Sequence, residues 1–261
     1  MNDYALITGA SGGIGYYFAL ELARRKHNII LVARSEEKLK ELKNLLEERY
    51  QIQCDYVAMD LSVTGAAEQL FGWCASRKYE IDILINNAGY GLFGYFEQQE
   101  VGEIKNMMQL NMNTLMELCH QFLPMLKTKS KAYIMNVAST ASYQAVPTLS
   151  VYAASKAFVV LFTRGLRYEL QDTSVSVTCL SPGATSTNFI DRARLQAIKE
   201  RADKFSMSAE AVARIGIDGM LKGKAEIIPG FVNWFSSQLT GFVPKVLTEK
   251  IAAGLYKDAL K

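Results

Sequence analysis

Short apolar, β-branched runs alternate with longer helix-period segments along almost the whole chain. This alternation limits the possible folds more than any other feature. The strand candidates are residues 4–8, 28–33, 54–59, 81–85, 131–138, 174–180 and 225–228. Between them lie helix candidates at 14–26, 35–50, 64–78, 100–127, 151–171 and 209–222. Runs such as NIILVA and IDILI are apolar at nearly every position rather than at every second one. Strands of that kind are buried on both faces, as in a parallel sheet covered by helices on each side. The expected architecture is therefore α/β, a doubly wound parallel sheet of about seven strands. In the second helix candidate Leu39, Leu42, Leu45 and Leu46 share a face, and Ser35 stands where an N-cap belongs. No internal repeat, low-complexity tract or linker breaks the pattern, so residues 1–261 are expected to form one domain.

Composition removes several classes. The net charge of +3 is small, and no basic cluster alternates with aromatics, so nucleic acid is not an expected partner. The four cysteines, Cys54, Cys74, Cys119 and Cys179, are widely spaced and suit free thiols in a reducing compartment. With only His27 and His120 present, neither a Ser-His-Asp triad nor a metal site is expected. The start MNDYALITGASGG has no basic, apolar leader, and no apolar run approaches the ~18 residues of a membrane span. A cytoplasmic protein is the expectation.

The segment LITGASGGIGYYF places a glycine-rich turn between the first strand and the first helix. Glycines there allow backbone N–H groups to approach a pyrophosphate, and the helix N-terminus favours its charge. Gly9, Gly13 and Gly15 fit T-G-x-x-x-G-x-G; Gly9, Gly12 and Gly15 fit T-G-x-x-G-x-x-G equally well. On either spacing Ser11, Gly12, Gly13 and Ile14 belong to the cofactor turn of a Rossmann-type fold. The second strand ends in Ala33 and Arg34 rather than in an acid. A carboxylate would repel a ribose 2′-phosphate, whereas a guanidinium can bind it. Arg34 thus points to NADP(H) rather than NAD(H).

Further signals follow in a fixed order. INNAG (85–89) ends the fourth strand, Asn111 lies within LNMNTL, and Ser139 closes the fifth strand in IMNVAST. Tyr152 comes thirteen residues later, and Lys156 four beyond it. Each motif alone is unspecific. Together with TGASGGIG, in this order and spacing, they resemble the classical short-chain dehydrogenase/reductase family, over nearly the whole chain to SPGATSTNF (181–189). The resemblance favours the T-G-x-x-x-G-x-G spacing. It implies that residues 1–90 mainly hold the cofactor and 91–261 the catalytic, lid and tail segments. It implies that Tyr152 is the general acid/base and also touches the cofactor, that Lys156 lowers its pKa and holds the nicotinamide ribose, and that Ser139 hydrogen-bonds the substrate oxygen. Asn111 would hold a relay water. Asp60 and Leu61 would meet the adenine, and Asn87, Ala88 and Gly89 would line the adenosine ribose. Pro182, Gly183, Thr185 and Thr187 would meet the nicotinamide half.

The physical chemistry of the pair agrees. Residues i and i+4 share a helix face, so Tyr152 and Lys156 are neighbours. A free tyrosine titrates near ~10, and a nearby ammonium brings it toward the working range. The expected activity is NADP(H)-dependent interconversion of a ketone or aldehyde and an alcohol, by hydride transfer. Tyr90, Phe93, Tyr95 and Phe96, together with TASYQAVPTLS, supply an apolar pocket for a 3-oxoacyl, steroid or general carbonyl substrate. Arg192, Arg194 and Arg201 of a lid segment could meet a substrate anion or form a solvated face. The tail with Phe231, Trp234, Phe235, Leu239, Phe242 and Val243 could cover the cleft, enter an oligomer interface or rest on a membrane. The resemblance implies a homodimer or homotetramer pairing through 100–127 and 151–171. A non-catalytic dinucleotide-binding redox sensor is the alternative, as is a nucleotide-sugar epimerase or dehydratase with tightly held NAD. The sensor leaves the Asn111/Ser139/Tyr152/Lys156 set without a purpose.

Overall fold

The computed structural model describes residues 3–186, 206–241 and 243–257. Its strands are β1 (Asp3–Thr8), β2 (Asn28–Ala33), β3 (Cys54–Ala58), β4 (Glu80–Asn86), β5 (Ala132–Val137), β6 (Val175–Leu180), β7 (Thr185–Ser186), β8 (Met207–Ser208) and β9 (Glu226–Ile227). Seven of them form one sheet in the order β3-β2-β1-β4-β5-β6-β9, while β7 and β8 pair separately. Every pairing is parallel. The helices are α1 (Gly13–Arg24), α2 (Glu36–Tyr50), α3 (Ala66–Ser76), α4 (Val101–Met108), α5 (Leu115–Lys127), α6 (Ser150–Glu169), α7 (Ala209–Leu221), α8 (Phe231–Leu239) and α9 (Lys245–Lys257).

The two-residue period of a strand explains why these runs are apolar throughout. In β1, Tyr4 and Leu6 join the core beneath α3, α5 and α6, while Ala5 and Ile7 join the core beneath α1, α2 and α7. Leu39, Leu42 and Leu46 of α2 are buried against the second of these cores, with Leu45 partly so. Ser35 does occupy the N-cap, but its side chain makes no capping hydrogen bond. Glu36 and Glu37 in the first turn complement the helix dipole instead.

Strand order reverses between β1 and β4. In doubly wound sheets a crevice opens at the carboxyl ends of the strands at that point, and ligands bind in it. The structure departs from expectation beside this crevice. Residues 100–127 are not one α-helix: α4 and α5 are separated by a π-helical turn, Gln109–Thr114. Its buried polar residues are bonded outside the helix, with Thr114 Oγ1 donating to the Leu61 carbonyl at 2.7 Å. Wide turns of this kind recur at functional sites because they redirect a side chain without ending the helix. Beyond the elements read in the sequence, the tail forms α8 and α9. Among the described residues no helix is long and apolar enough to cross a membrane.

Candidate active site

At the crevice the first and fourth strands are tied together by one side chain. Thr8 Oγ1 donates to the Ile85 carbonyl at 3.2 Å and accepts from the N–H groups of Asn87 at 2.9 Å and Ala88 at 3.0 Å. Asn87 Nδ2 returns hydrogen bonds to the carbonyls of Thr8 at 2.9 Å and Gly9 at 3.3 Å. Glycine suits three positions of the turn, Gly13 with φ +56° among them. Gly9 has φ +69°, and a Cβ on Gly15 would strike the Gly9 carbonyl oxygen. The turn opens α1, whose N-terminus has no side-chain cap and no acid in its first turn. Unpaired N–H groups at such an end fit a pyrophosphate.

The second cluster lies at the carboxyl ends of β4 and β5. Tyr152 and Lys156 are 7% and 5% exposed on one face of α6. Burial pushes the Lys156 ammonium down to about 8, and its Nζ donates to the Val137 carbonyl at 2.8 Å. The π turn delivers Asn111, fully buried, to Tyr90: Oδ1 accepts from the Tyr90 N–H at 3.1 Å, and Nδ2 donates to the Tyr90 carbonyl at 2.9 Å and to Ser155 Oγ at 3.1 Å. Both amide hydrogens are thus committed, which leaves Oδ1 one lone pair. A Cβ on Gly89 would stand 2.9 Å from Asn111 Oδ1 and 3.3 Å from Lys156 Nζ, so both groups flank the same glycine. Ser139 follows β5 and caps the short 3₁₀ turn Thr140–Tyr143, its Oγ accepting from the Ala141 N–H at 3.1 Å.

A family model described as short chain dehydrogenase matches residues 3–197. The chain belongs to the short-chain dehydrogenase family. It is 33% identical over 230 residues to hydroxysteroid dehydrogenase-like protein 1 of Gallus gallus, covering 87% of this chain and 68% of that protein. It is 30% identical over 238 residues to the very-long-chain 3-oxoacyl-CoA reductase of Rattus norvegicus, covering 89% and 75%. Among solved structures, a short-chain dehydrogenase from Sphingobium yanoikuyae in complex with NADPH matches with a TM-score of 0.81 at 26% identity, over 93% of this chain and 96% of that one. The chain is therefore an oxidoreductase of this family.

In this short-chain dehydrogenase most of the residues singled out in the sequence face one cleft of about 700 Å³. Gly9, Ser11, Gly12, Gly13 and Ile14 form one end of it, with Arg34, Asp60 and Leu61 beside them. Asn87, Ala88 and Gly89 form the middle. Ser139, Tyr152, Lys156, Pro182, Gly183 and Thr185 line the other end. Gly15 and Asn111 stand behind this wall rather than in it, Gly15 allowing the turn to close and Asn111 bracing Tyr90. Thr187 lies outside the described residues, as do Arg192, Arg194, Arg201 and Phe242.

Several wall residues escaped the sequence reading. Lys38, at the third position of α2, faces the cleft near Arg34; neither has an ion-pair partner among the described residues. The segment after Ser139 contributes Tyr143, Val146 and Leu149, as its composition suggested. The segment after INNAG does not contribute: Tyr90 and Phe93 pack on the core, while Tyr95 and Phe96 are 48% and 64% exposed. The tail does cover the cleft, but with its small polar face. Ser236, Ser237 and Thr240 line the cavity, whereas Phe231, Trp234, Phe235 and Leu239 stay exposed, and the Phe231 ring packs near those of Trp234 and Phe235. A polar stripe at three- and four-residue spacing among the aromatics was the available signal. Gly183 permits this docking, since a Cβ there would lie 2.5 Å from Asn233 Nδ2.

Proposed function

We propose that this short-chain dehydrogenase reduces an apolar, neutral carbonyl compound with NADPH, or oxidises the corresponding alcohol with NADP. The observation that carries the proposal is the buried Tyr152–Lys156 face of α6, opening on the same cleft as Ser139 and the glycine turn. Bound in that cleft, the nicotinamide cofactor supplies or accepts the hydride. Tyr152 gives its proton to the carbonyl oxygen, or takes one in oxidation. Ser139 donates a hydrogen bond to that oxygen and orients it. The Lys156 ammonium favours the phenolate of Tyr152 and binds the cofactor ribose. The free lone pair of Asn111 holds a water that passes protons between Lys156 and solvent. Among the described residues around Val146, Leu149 and α8 the cleft wall has no carboxylate and no cation besides Lys156, which favours a neutral substrate over a small acid. A 3-oxoacyl thioester, a ketosteroid and a bulky ketone all satisfy this.

Arg34 and Lys38 support NADP(H) over NAD(H): two unpaired cations at the adenosine end suit a 2′-phosphate. Exposed Leu161 and Tyr168 on α6, each 73% exposed, support pairing of two copies through the α4–α5 and α6 layer. The four buried, free thiols are compatible with a cytoplasmic location.

NADPH oxidation by the purified protein tests this, run against ketosteroids, 3-oxoacyl thioesters, diketones and aldehydes with NADH alongside. Turnover with NADPH on the larger apolar members is expected; NADPH binding with no turnover on any member would overturn the proposal. Removing a charge-assisted contact to phosphate costs about 1.5–3 kcal/mol, so Arg34→Ala should weaken NADPH binding ~10–100-fold. NADH binding should stay within about threefold, because no 2′-phosphate contact is lost. Equal weakening of both would remove Arg34 from 2′-phosphate recognition.

A further inference from the structure

Two tyrosines face the cleft, and the second has no role so far. Tyr143 ends the 3₁₀ turn that Ser139 opens. Its hydroxyl lies 2.7 Å from Glu226 Oε1 on β9 and 2.9 Å from Ser181 Oγ, directly before Pro182. Glu226 does not line the cleft; its other oxygen is 3.6 Å from the Arg164 guanidinium on α6. The Ser139 turn is also held at its beginning, where the Thr140 N–H donates to the Pro182 carbonyl at 2.9 Å. Three segments of the site therefore converge on one carboxylate: the Ser139 turn, the turn at 182–183, and α6.

We propose that Tyr143 and Glu226 are a positioning pair, which sets the separation between the Ser139 hydroxyl, which meets the substrate carbonyl, and the turn at 182–183, which meets the nicotinamide half of the cofactor. The Tyr143 O–H donates to the carboxylate, and the Ser181 O–H is then free to donate to the Tyr143 oxygen. A neutral donor on a carboxylate makes a short, charge-assisted hydrogen bond about twice as strong as a neutral pair. Burial, with the Glu226 carboxylate beside it, raises the Tyr143 hydroxyl well above the ordinary tyrosine range. Tyr143 thus stays a donor at every working pH and is unsuited to the proton transfer assigned to Tyr152. It acts through Ser139, not on the substrate's proton.

The proposal rests on the carbonyl-reductase reading, so its test combines turnover with a measurement that needs none. Tyr143→Phe, Glu226→Gln, Glu226→Ala and the double variant Tyr143→Phe/Glu226→Ala are compared with the parent in the full chain. Hydrogen–deuterium exchange should speed up about tenfold at amides 139–144 and 183–185 in Tyr143→Phe and leave β4 unchanged. With an accepted carbonyl substrate, kcat should fall about tenfold, as a sub-ångström misplacement requires, with KM within threefold and NADPH affinity within twofold. Glu226→Gln, whose amide oxygen still accepts, should keep at least about half the turnover. The double variant should be no worse than the worse single one, because both remove one interaction. Unchanged exchange at both turns overturns the pair whether or not a substrate is known, as does an unchanged kcat or an additive double loss. A parent that turns over no carbonyl, while exchange responds as described, tells against the reductase reading alone.

Discussion

Tyr152→Phe is expected to lose turnover by about 10²–10⁴-fold, the range that a positioned general acid contributes. NADPH should still bind within about twofold, since the ring keeps its place and Tyr152 would be only one of many residues that meet the cofactor. The ring is 7% exposed on α6, within a core that phenylalanine fills equally well, so folding should not suffer. What disappears is the phenol hydroxyl that faces the cleft beside Lys156. Steady-state rates with the best substrate of the carbonyl panel, together with a fluorescence titration of NADPH, would decide it. Turnover within tenfold of the parent would mean that another group protonates the oxygen. A parallel loss of NADPH binding would make Tyr152 part of the cofactor cradle instead.

Lys156→Met is expected to do two opposite things: abolish turnover and stabilise the fold. The ammonium is buried, and burial lowers it from the ordinary 10.5 to about 8. Its folded-state value is therefore below its unfolded one, and protonation favours unfolding. That difference costs the folded state ~3 kcal/mol at every pH below the folded value. The cost is relieved progressively as pH rises from about 8 toward 10.5, where the folded lysine is neutral and the unfolded one is not yet. Methionine has no such cost, but it leaves the Val137 carbonyl without its 2.8 Å donor, which returns about 1–2 kcal/mol. The net gain near neutrality is on the order of 1–2 kcal/mol, a Tm rise of roughly 2–6 °C for a chain of this size. Thermal melts of both proteins between pH 7 and 10 would show the parent closing the gap as pH rises. A less stable Met variant at pH 7 would show that the ammonium is held by more than one carbonyl. Functional sites commonly hold groups that the fold alone would reject.

The sheet was legible because its strands carry apolar residues at both parities, a pattern that few other elements share. The glycine turn, INNAG and the Tyr152–Lys156 spacing were legible for a related reason: each depends on local backbone geometry or on neighbours in one helix. What remained hidden depended on direction rather than on residue type. The π turn adds one residue's width to a helix without disturbing the apolar period on either side, so 100–127 read as a single helix. Tyr95 and Phe96 have the composition of a pocket wall, but their backbone carries them into solvent. In α8 the aromatics drew attention, while Ser236 and Ser237, with Thr240 just past its end, formed the wall. Lys38 sits in a run of charged helix residues, where one lysine reads like the next; only the end of β2 distinguishes it.

The arrangement of the tail bears on how such a catalyst can change. The residues proposed to move protons and to hold the dinucleotide lie on the carboxyl ends of the strands, on the turn before α1 and on α6. One rim of the substrate chamber is instead a pair of late helices, seated against the turn at 182–183 where Gly183 meets Asn233. Mutations in α8 and α9 can therefore reshape what enters while leaving the chemistry intact. A library confined to the cleft-facing positions of α8 and α9 would explore new substrates with little risk to folding, whereas the same number of changes along β4, β5 or α6 would mostly produce inactive protein.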